Sequence, residues 1–293
     1  MAPTQRSLRL AFLGCGHIGS ALLRAVLPSV AKSQSPISKV MVALNDNEAH
    51  TRLQKSFNGR LDPADLFCGN NAEAVRNADA VLFAFPPEKV HEVLAEAEMR
   101  KALRQKIIIS ILARTPRAEI ARIINGQDTA APSTADDLRI VRAMPTMGTE
   151  VHESATLIGK TSNPLEKEAV ELAEWIFNSV GRVFHVTHDY FDAATGMSAF
   201  SNALTTTAVQ VISQRAVAEG IPKDHAIAIA SQCVRGMASI MLSGTSPEQL
   251  QWSLSAPGSI TGQAILRLHE SQLSTILESS VSAAINRAKE HET

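Results

Sequence analysis

A glycine pattern directly after an apolar segment is the feature that most constrains this fold. The stretch Leu8–Leu13 runs into Gly14, Gly16 and Gly19, and an Ala- and Leu-rich segment follows. In this spacing the first glycine permits a tight turn, the second lets the backbone approach a pyrophosphate, and the third lets the next helix pack on the strand. The pattern predicts a nicotinamide or flavin nucleotide site, with a purely structural turn as the alternative.

Strands and helices are predicted to alternate through the first half of the chain. The expected strands are Leu8–Leu13, Val40–Leu44, a short one near Leu66, Ala80–Phe85, Lys106–Leu112, Leu138–Ala143 and Ala155–Ile158. Alternation of this kind predicts an α/β fold whose N-terminal part is a Rossmann-like, doubly wound parallel sheet. Ligands of such sheets bind at the carboxyl ends of the strands.

After Val183–Val186 the pattern changes to helices alone. Their predicted ranges are Asp192–Glu219, Lys223–Leu242, Glu248–Leu254 and Ile260 to the end. We therefore expect a nucleotide-binding domain of residues 1–186 and a helical dimerisation and substrate domain of residues 187–293. Asn125–Asp137 is a polar loop where a mobile insertion is expected.

The second strand ends at Asn45 and Asp46, where dinucleotide enzymes select their cofactor. An acidic side chain there accepts the ribose hydroxyls and repels a 2′-phosphate, so Asp46 favours NADH over NADPH. The alternative is that Asn45 or Asp46 caps the helix that begins near Asn47.

Two other strand ends lie on the same predicted edge. The prolines after Phe85 withhold backbone donors, and they either wall the cofactor or only end the strand. We expect cofactor contacts from the glycine turn and from these strand ends: His17, Ile18, Ala84, Phe85, Pro86, Met144 and Pro145.

The composition limits the kinds of partner that are expected for this chain. The net charge of −1 indicates neither a nucleic-acid nor an anionic-membrane partner. Charged residues make up 19% of the chain, which is below the ~25% of ordinary soluble proteins and favours extra surface buried between subunits. The residues before the first strand lack the apolar core of a secretory signal.

The cysteines and histidines do not predict a metal site. Cys15, Cys68 and Cys233 are far apart and form no C-x-x-C pair, so a reducing, cytoplasmic location is expected. His185 and His188 have a metal-like spacing, but a role for the neighbouring residues in capping the next helix is the preferred interpretation.

Ser253–Gly262 (SLSAPGSITG) is the second informative stretch. A Pro-Gly turn before a helix that begins near Ile260 gathers backbone N–H groups into a cradle suited to a carboxylate, with the Thr261 hydroxyl directed into it. The alternative is an ordinary turn between helices.

Several motifs together resemble those of the pyrroline-5-carboxylate reductases over nearly the whole chain. FLGCGHIGSAL is similar to the family's FIGxGNMxxAI, VLFAFPPEKV to VxLAVKPQ, and RAMPTMGTEV to RxMPNTPAxV. In the helical half, DAAT with Ser198 is similar to DAVTALSGSGPAY, and SAPGSIT to TSPGGTT.

The resemblance implies an imine reductase in which NADH or NADPH delivers hydride to the C=N carbon of a cyclic imine. It implies a homodimer formed through the helical domain, with higher assembly left open. Each active site would join one subunit's nucleotide domain to the other subunit's SAPGSIT loop. Thr261 falls on the family's active-site threonine, and the other implied substrate contacts are Ser198, Gly258, Ser259 and Ile260.

The chain departs from the family pattern near the implied substrate. Ala256 replaces a serine, Ser259 a glycine, Pro86 a lysine, Thr146 an asparagine and His17 an asparagine. We therefore expect a modified or bulkier cyclic imine as substrate.

Two other functions compete with this interpretation. A β-hydroxyacid dehydrogenase needs a lysine in its interdomain helix, and none occurs between Lys167 and Lys223. The second is a cofactor-binding protein that lost catalysis and acts as a sensor or partner; the retained Thr261 speaks against it.

Overall fold

The computed structural model describes residues 7–290, apart from residues 31, 33–34, 46, 63–64, 127–137 and 162. Asp46 and most of the predicted loop Asn125–Asp137 therefore lie outside the described residues. The strands are β1 (Leu8–Leu13), β2 (Ile37–Leu44), β3 (Leu66–Cys68), β4 (Ala80–Phe83), β5 (Ile107–Ser110), β6 (Arg139–Met144), β7 (Ser154–Gly159) and β8 (Gly181–Val186). The helices among them are α1 (His17–Val30), α2 (Asn47–Ser56), α3 (Asn71–Asn77), α4 (Val90–Leu94), α5 (Ala97–Leu103), α6 (Arg117–Asn125) and α7 (Lys167–Asn178).

The strands form one sheet in the order β3-β2-β1-β4-β5-β6-β7-β8. Alternate side chains of β1 enter two different apolar clusters, with Leu10 and Phe12 in one and Ala11 and Leu13 in the other. Each cluster also contains helical residues, so the sheet is covered on both faces, as parallel sheets require. This confirms the predicted doubly wound fold.

Two strands of the sheet, β7 and β8, run opposite to the parallel order that the sequence predicts. β7 is antiparallel to β6, with Met144 opposite Leu157. The connection between them holds the 3-10 turn Met147–Val151 instead of a full crossover helix, and a parallel pairing needs such a crossover. β8 then returns parallel to β7 after α7.

Two helical segments also differ from the expected pattern. The residue pattern predicts one helix over Glu88–Met99, but the chain is interrupted at Glu96, whose backbone is extended, and forms α4 and α5 instead. The unpredicted α3 begins where the Asn70 side chain accepts a hydrogen bond from the amide of Glu73 (3.3 Å). A cap three residues before an acidic side chain is the local signal that would have indicated this helix.

From His188 on, the described residues form α8 (His188–Ala218), α9 (Lys223–Leu242), α10 (Pro247–Leu254), α11 (Ile260–Glu270) and α12 (Leu273–Lys289). The expected single helix from Ile260 to the end is broken at Gln272, whose φ of 55° is left-handed. Two compact units divide between Thr195 and Gly196, and the chain from Ala288 on belongs to the first.

The second unit presents an unusually apolar surface within a single chain. Large side chains exposed there include Val211, Ile229, Leu242, Trp252 and Leu266. By length and composition α9 is long and apolar enough to cross a membrane, and 11% of its apolar window is buried within this chain. An apolar surface of this extent marks a site of association.

A buried ion pair joins the sheet to the start of α8. Arg142 on β6 is 7% exposed, and its guanidinium donates to Asp192 Oδ1 (2.9 Å). The same guanidinium lies 4.4 Å from the centre of the fully buried Phe191 ring, while Arg142 Nε has no hydrogen-bond partner among the described residues. Asp192 therefore provides the countercharge that makes the burial of Arg142 tolerable.

We predict that Asp192→Ala lowers the free energy of unfolding by about 3 kcal/mol, because it leaves a buried guanidinium unpaired. The measurement is chemical denaturation followed by circular dichroism. Glu171→Ala, which breaks the exposed pair with Lys167, is the control and should change stability by no more than about 0.5 kcal/mol. Equal losses in the two variants would contradict the assigned role.

Candidate active site

The glycine turn after β1 is held very close to the end of β4. Gly14 has a φ of 78°, and a Cβ added there would lie 2.9 Å from the Ala84 carbonyl oxygen and from Phe85 Cα. The Gly14 amide donates to the Ala43 carbonyl at 2.9 Å. Both the conformation and the contact require glycine.

The other two glycines match the remaining needs of a nucleotide turn. A Cβ at Gly16 would meet nothing within 4 Å, so this part of the backbone is open to a ligand. A Cβ at Gly19 would lie 3.1 Å from the Ala84 methyl carbon, which shows how closely α1 approaches the strand end. The open backbone at the start of α1 fits the pyrophosphate of a dinucleotide.

Cys15, between the first two glycines, is a structural residue. Its side chain packs into the apolar cluster beneath α1. Burial raises the pKa of the Cys15 thiol to about 11, although a hydrogen bond with Ser20 opposes the shift. The thiol is therefore protonated at neutral pH and supplies neither a nucleophile nor a charge to the turn.

An acidic side chain faces the start of α1. The 3-10 turn Met147–Val151 packs against α1. Its Glu150 Oε1 lies 3.3 Å from His17 Nε2, and both side chains are about half exposed. A carboxylate at this position adds negative charge where a pyrophosphate is expected.

Asn45 lies at the exposed end of β2, beside a polar recess of about 160 Å³. Asn70, Glu92 and the backbone of Gly69 line the same recess, and the Gly69 amide donates to the Leu44 carbonyl (3.0 Å). The recess lies at the carboxyl ends of β2 and β3, where the adenosine half of a dinucleotide is expected.

The remaining strand-end residues lie along the same edge. Ala84 is half-buried, Phe85 is buried against Phe83, and Pro86 is exposed in an extended conformation. Further along, Met144 packs on the cluster that contains Phe191, and Pro145 is buried. The structure thus brings the described nucleotide candidates to one edge of the sheet.

The other candidates lie in the helical unit, and all but Ser198 are on the loop between α10 and α11 or in the first turn of α11. Gly258 has a φ of 74°, and Ser259 is the N-cap of α11. The first helical bond of α11 runs from the Gln263 amide to the Ser259 carbonyl (3.1 Å), so the amides of Ile260 and Thr261 precede the helical ladder. Such amides bind anions readily.

The Thr261 hydroxyl has a definite direction within this loop. It donates to the Leu254 carbonyl at 2.8 Å, and it lies 3.3 Å from Ser259 Oγ. Thr261 therefore presents an oxygen lone pair, and not its proton, to a molecule bound in front of it. Ser198 lies on α8, in the same unit but on another helix.

Among the described residues no group of three His, Cys, Asp or Glu side chains is arranged to hold a metal ion. His185, part of the metal-like spacing in the sequence, contacts Glu174 through Nε2 at 2.8 Å.

Sequence reasoning missed Glu150, the Leu254 carbonyl and the side-chain role of Ser259. Glu150 lies inside a motif that was recognised, but its contact with His17 joins segments that are distant along the chain. The Ser259 cap has a local signal, because a serine directly before a helix is a common N-cap.

We predict that Glu150→Gln lowers the Kd for a nicotinamide dinucleotide severalfold at low salt, because a negative charge is removed near the expected pyrophosphate. The gain should shrink as salt screens the repulsion. Fluorescence titration of the reduced cofactor measures it. The control is Glu168→Gln: Glu168 pairs with Arg139 at the opposite end of β6, so this variant should leave the Kd unchanged. A weaker affinity in Glu150→Gln would contradict the assignment.

Two family models match the chain in separate regions. The model described as NADP oxidoreductase, coenzyme F420-dependent, matches residues 9–114, and the one described as pyrroline-5-carboxylate reductase dimerisation matches residues 188–291. The first covers the glycine turn and the second covers the Thr261 loop.

Individual proteins agree with the models. A pyrroline-5-carboxylate reductase of Lophium arboricola is 29% identical over 277 residues, spanning 90% of this chain and 87% of that protein. The 1-pyrroline-5-carboxylate reductase of Streptococcus pyogenes shares the fold with a TM-score of 0.78, at 22% identity over 96% of this chain and 98% of that one. Plasmodium falciparum pyrroline carboxylate reductase with NADP bound has a TM-score of 0.76, at 20% identity over 96% and 97% of the two chains.

The matches run through both units, in the same order along the chain, and they include the glycine turn as well as the loop of Thr261. These matches make the chain similar to the pyrroline-5-carboxylate reductases over nearly its whole length.

Proposed function

We propose that this protein reduces the C=N bond of a cyclic imine with NADH or NADPH, converting pyrroline-5-carboxylate to L-proline or a related modified imine to its secondary amine. The observation that carries the proposal is the Thr261 loop. It combines helix-start amides suited to a carboxylate with a hydroxyl whose lone pair suits an N–H group. The glycine turn of the same chain supplies the fit for a dinucleotide.

The reaction requires little of the protein beyond orientation of the substrate and the cofactor. A bound nicotinamide cofactor supplies the hydride. A protonated imine is already electrophilic at carbon, so catalysis consists mainly of holding the ring and stabilising its charges. Thr261 accepts a hydrogen bond from the imine N–H, because its own proton is donated to the Leu254 carbonyl. The amides of Ile260 and Thr261, with Gly258 and Ser259 shaping the turn, bind the carboxylate.

The nucleotide site is assigned to the turn and the strand ends at one edge of the sheet. We propose that Gly14, Gly16, His17, Ile18 and Gly19 hold the pyrophosphate. The remaining cofactor contacts are proposed for Asn45, Asp46, Ala84, Phe85, Pro86, Met144 and Pro145. The Asp46 carboxylate would repel a 2′-phosphate, which supports a preference for NADH. A related structure with NADP bound keeps NADPH as the alternative.

The helical part is proposed as the dimerisation domain. We place the domain boundary at Thr187, because β8 ends at Val186 and the helices begin at His188. The exposed apolar side chains of this part would be buried against a second copy, and the dimerisation model covers the same residues. We also propose a cytoplasmic enzyme, since its three free cysteines form no disulfide framework.

The substrate is proposed to be bulkier or less polar than pyrroline-5-carboxylate. Ile260, the first residue of α11, is 91% exposed directly beside Thr261. Ala256 in the same loop has no hydroxyl to offer a carboxylate. Each missing charge-assisted hydrogen bond weakens recognition of a small anion by about 1.5–3 kcal/mol.

Oxidation of NADH and NADPH at 340 nm is the direct assay, with pyrroline-5-carboxylate, piperideine carboxylates and an uncharged cyclic imine compared side by side. We expect turnover of cyclic imines, a higher kcat/KM with NADH, and a preference for an imine other than pyrroline-5-carboxylate. Efficient and selective turnover of pyrroline-5-carboxylate would reject the substrate refinement. Cofactor binding without turnover of any imine would reject the enzyme assignment in favour of a sensor.

Thr261→Ala is expected to lower kcat about a hundredfold, because one preorganised group at the reacting nitrogen is lost. Cofactor affinity should stay unchanged, since the glycine turn belongs to the other compact unit. Steady-state kinetics and cofactor titration measure the two effects, with Thr275→Ala on α12 as the matched control. Wild-type turnover in the Thr261 variant would remove this hydroxyl from the mechanism.

A further inference from the structure

Three oxygen atoms gather where α11 begins. Thr261 Oγ1 lies 2.8 Å from the Leu254 carbonyl oxygen, and Ser259 Oγ lies 3.3 Å from Thr261 Oγ1 and 3.5 Å from the same carbonyl. Ser259 Oγ also accepts a hydrogen bond from the Gly262 amide at 2.9 Å. The cluster contains two hydroxyl protons and one carbonyl that only accepts.

The hydrogen bonds of this cluster all run in one direction. The Leu254 carbonyl takes the Thr261 proton, because theirs is the shortest contact of the three. One lone pair of Ser259 is used by the Gly262 amide. Its proton has two acceptors in reach, Thr261 Oγ1 at 3.3 Å and the Leu254 carbonyl at 3.5 Å, and because that carbonyl already receives the Thr261 proton, the nearer Thr261 Oγ1 is assigned as its acceptor. The chain of donors then runs from the Gly262 amide through Ser259 to Thr261 and on to Leu254. Thr261 is held from two sides, with one lone pair left over.

The sequence suggests why a serine occupies this position. In the family pattern TSPGGTT, hydroxyl residues stand where this chain has Ala256 and Ile260, and a glycine stands where it has Ser259. The chain has therefore lost two hydroxyls near Thr261 and gained one. The other nearby hydroxyl, that of Ser255, donates to the Gln251 carbonyl (2.6 Å) and is not available to Thr261.

We propose that Ser259 is a positioning residue that fixes the direction of the Thr261 hydroxyl, so that Thr261 accepts a hydrogen bond from the imine N–H. This inference rests on the proposed imine reduction and adds a side-chain role for Ser259 to that of its backbone. Ser259 also caps α11, and the two roles can be separated. Glycine at an N-cap costs only a few tenths of a kcal/mol, whereas alanine costs about 1 kcal/mol.

The test compares Ser259→Gly, Ser259→Ala and Ser259→Thr with wild type, using steady-state kinetics and thermal denaturation. Both hydroxyl-free variants should lower kcat about five- to tenfold with KM changed less than about twofold, although only Ser259→Ala loses a clear amount of stability. Ser259→Thr, which keeps a hydroxyl, should retain the wild-type kcat. Ser255→Ala, a matched hydroxyl loss in the same loop, should leave kcat unchanged.

A double-mutant cycle shows whether Ser259 acts through Thr261. Added to Thr261→Ala, Ser259→Gly should cause no further loss of kcat, because the hydroxyl that it positions is gone. Additive losses, or a kcat that follows stability across the variants, would overturn the inference. A normal kcat in Thr261→Ala alone would instead reject the proposed role of Thr261, and an inactive wild type would reject the proposed function.

Discussion

The close approach of the glycine turn to the end of β4 is the constraint on which the nucleotide-binding half depends. Gly14 is left-handed, and a Cβ there would lie only 2.9 Å from the backbone just after β4. With glycine at this position, β1 can end and α1 can begin within three residues. The amino end of α1 is thereby brought to the edge where the strands end. A side chain at Gly14 would separate the turn from β4 and displace this helix start, which is the part of the fold suited to a pyrophosphate.

The same edge carries a feature that opposes anion binding. Glu150 reaches the start of α1 from the connection between β6 and β7, where the strand direction reverses. His17, within the glycine turn, contacts this carboxylate through Nε2. The helix dipole favours an anionic group at the start of α1, whereas a carboxylate beside it opposes one, so we expect the affinity for a dinucleotide to reflect a balance of charges as well as the glycine pattern.

In the proposed function, the helical half orients the substrate without strong acids or bases. Its Thr261 loop presents helix-start amides and a hydroxyl with a defined direction, and it offers no titratable group of its own between Ser255 and Thr261. Such a loop can hold a cation at the nitrogen and an anion at the carboxylate through fixed dipoles. The exposed Ile260 gives the loop an apolar side chain next to these polar contacts, which bears on substrate size.

The sequence alone determined the α/β fold and the glycine turn, and it predicted a polar cradle at Thr261, because each depends on short-range patterns. Short apolar strands, a fixed glycine spacing and a Pro-Gly turn before a helix can be recognised from neighbouring residues. Only the tertiary structure decided that β7 is antiparallel, that Glu150 faces His17, that Asp192 neutralises Arg142, and that Thr261 donates to Leu254. These depend on contacts between segments distant along the chain, or on the path of a loop, and neither is encoded in local periodicity. The break between α4 and α5 at Glu96 was also decided by the tertiary structure, because the residues around it are ordinary helix formers.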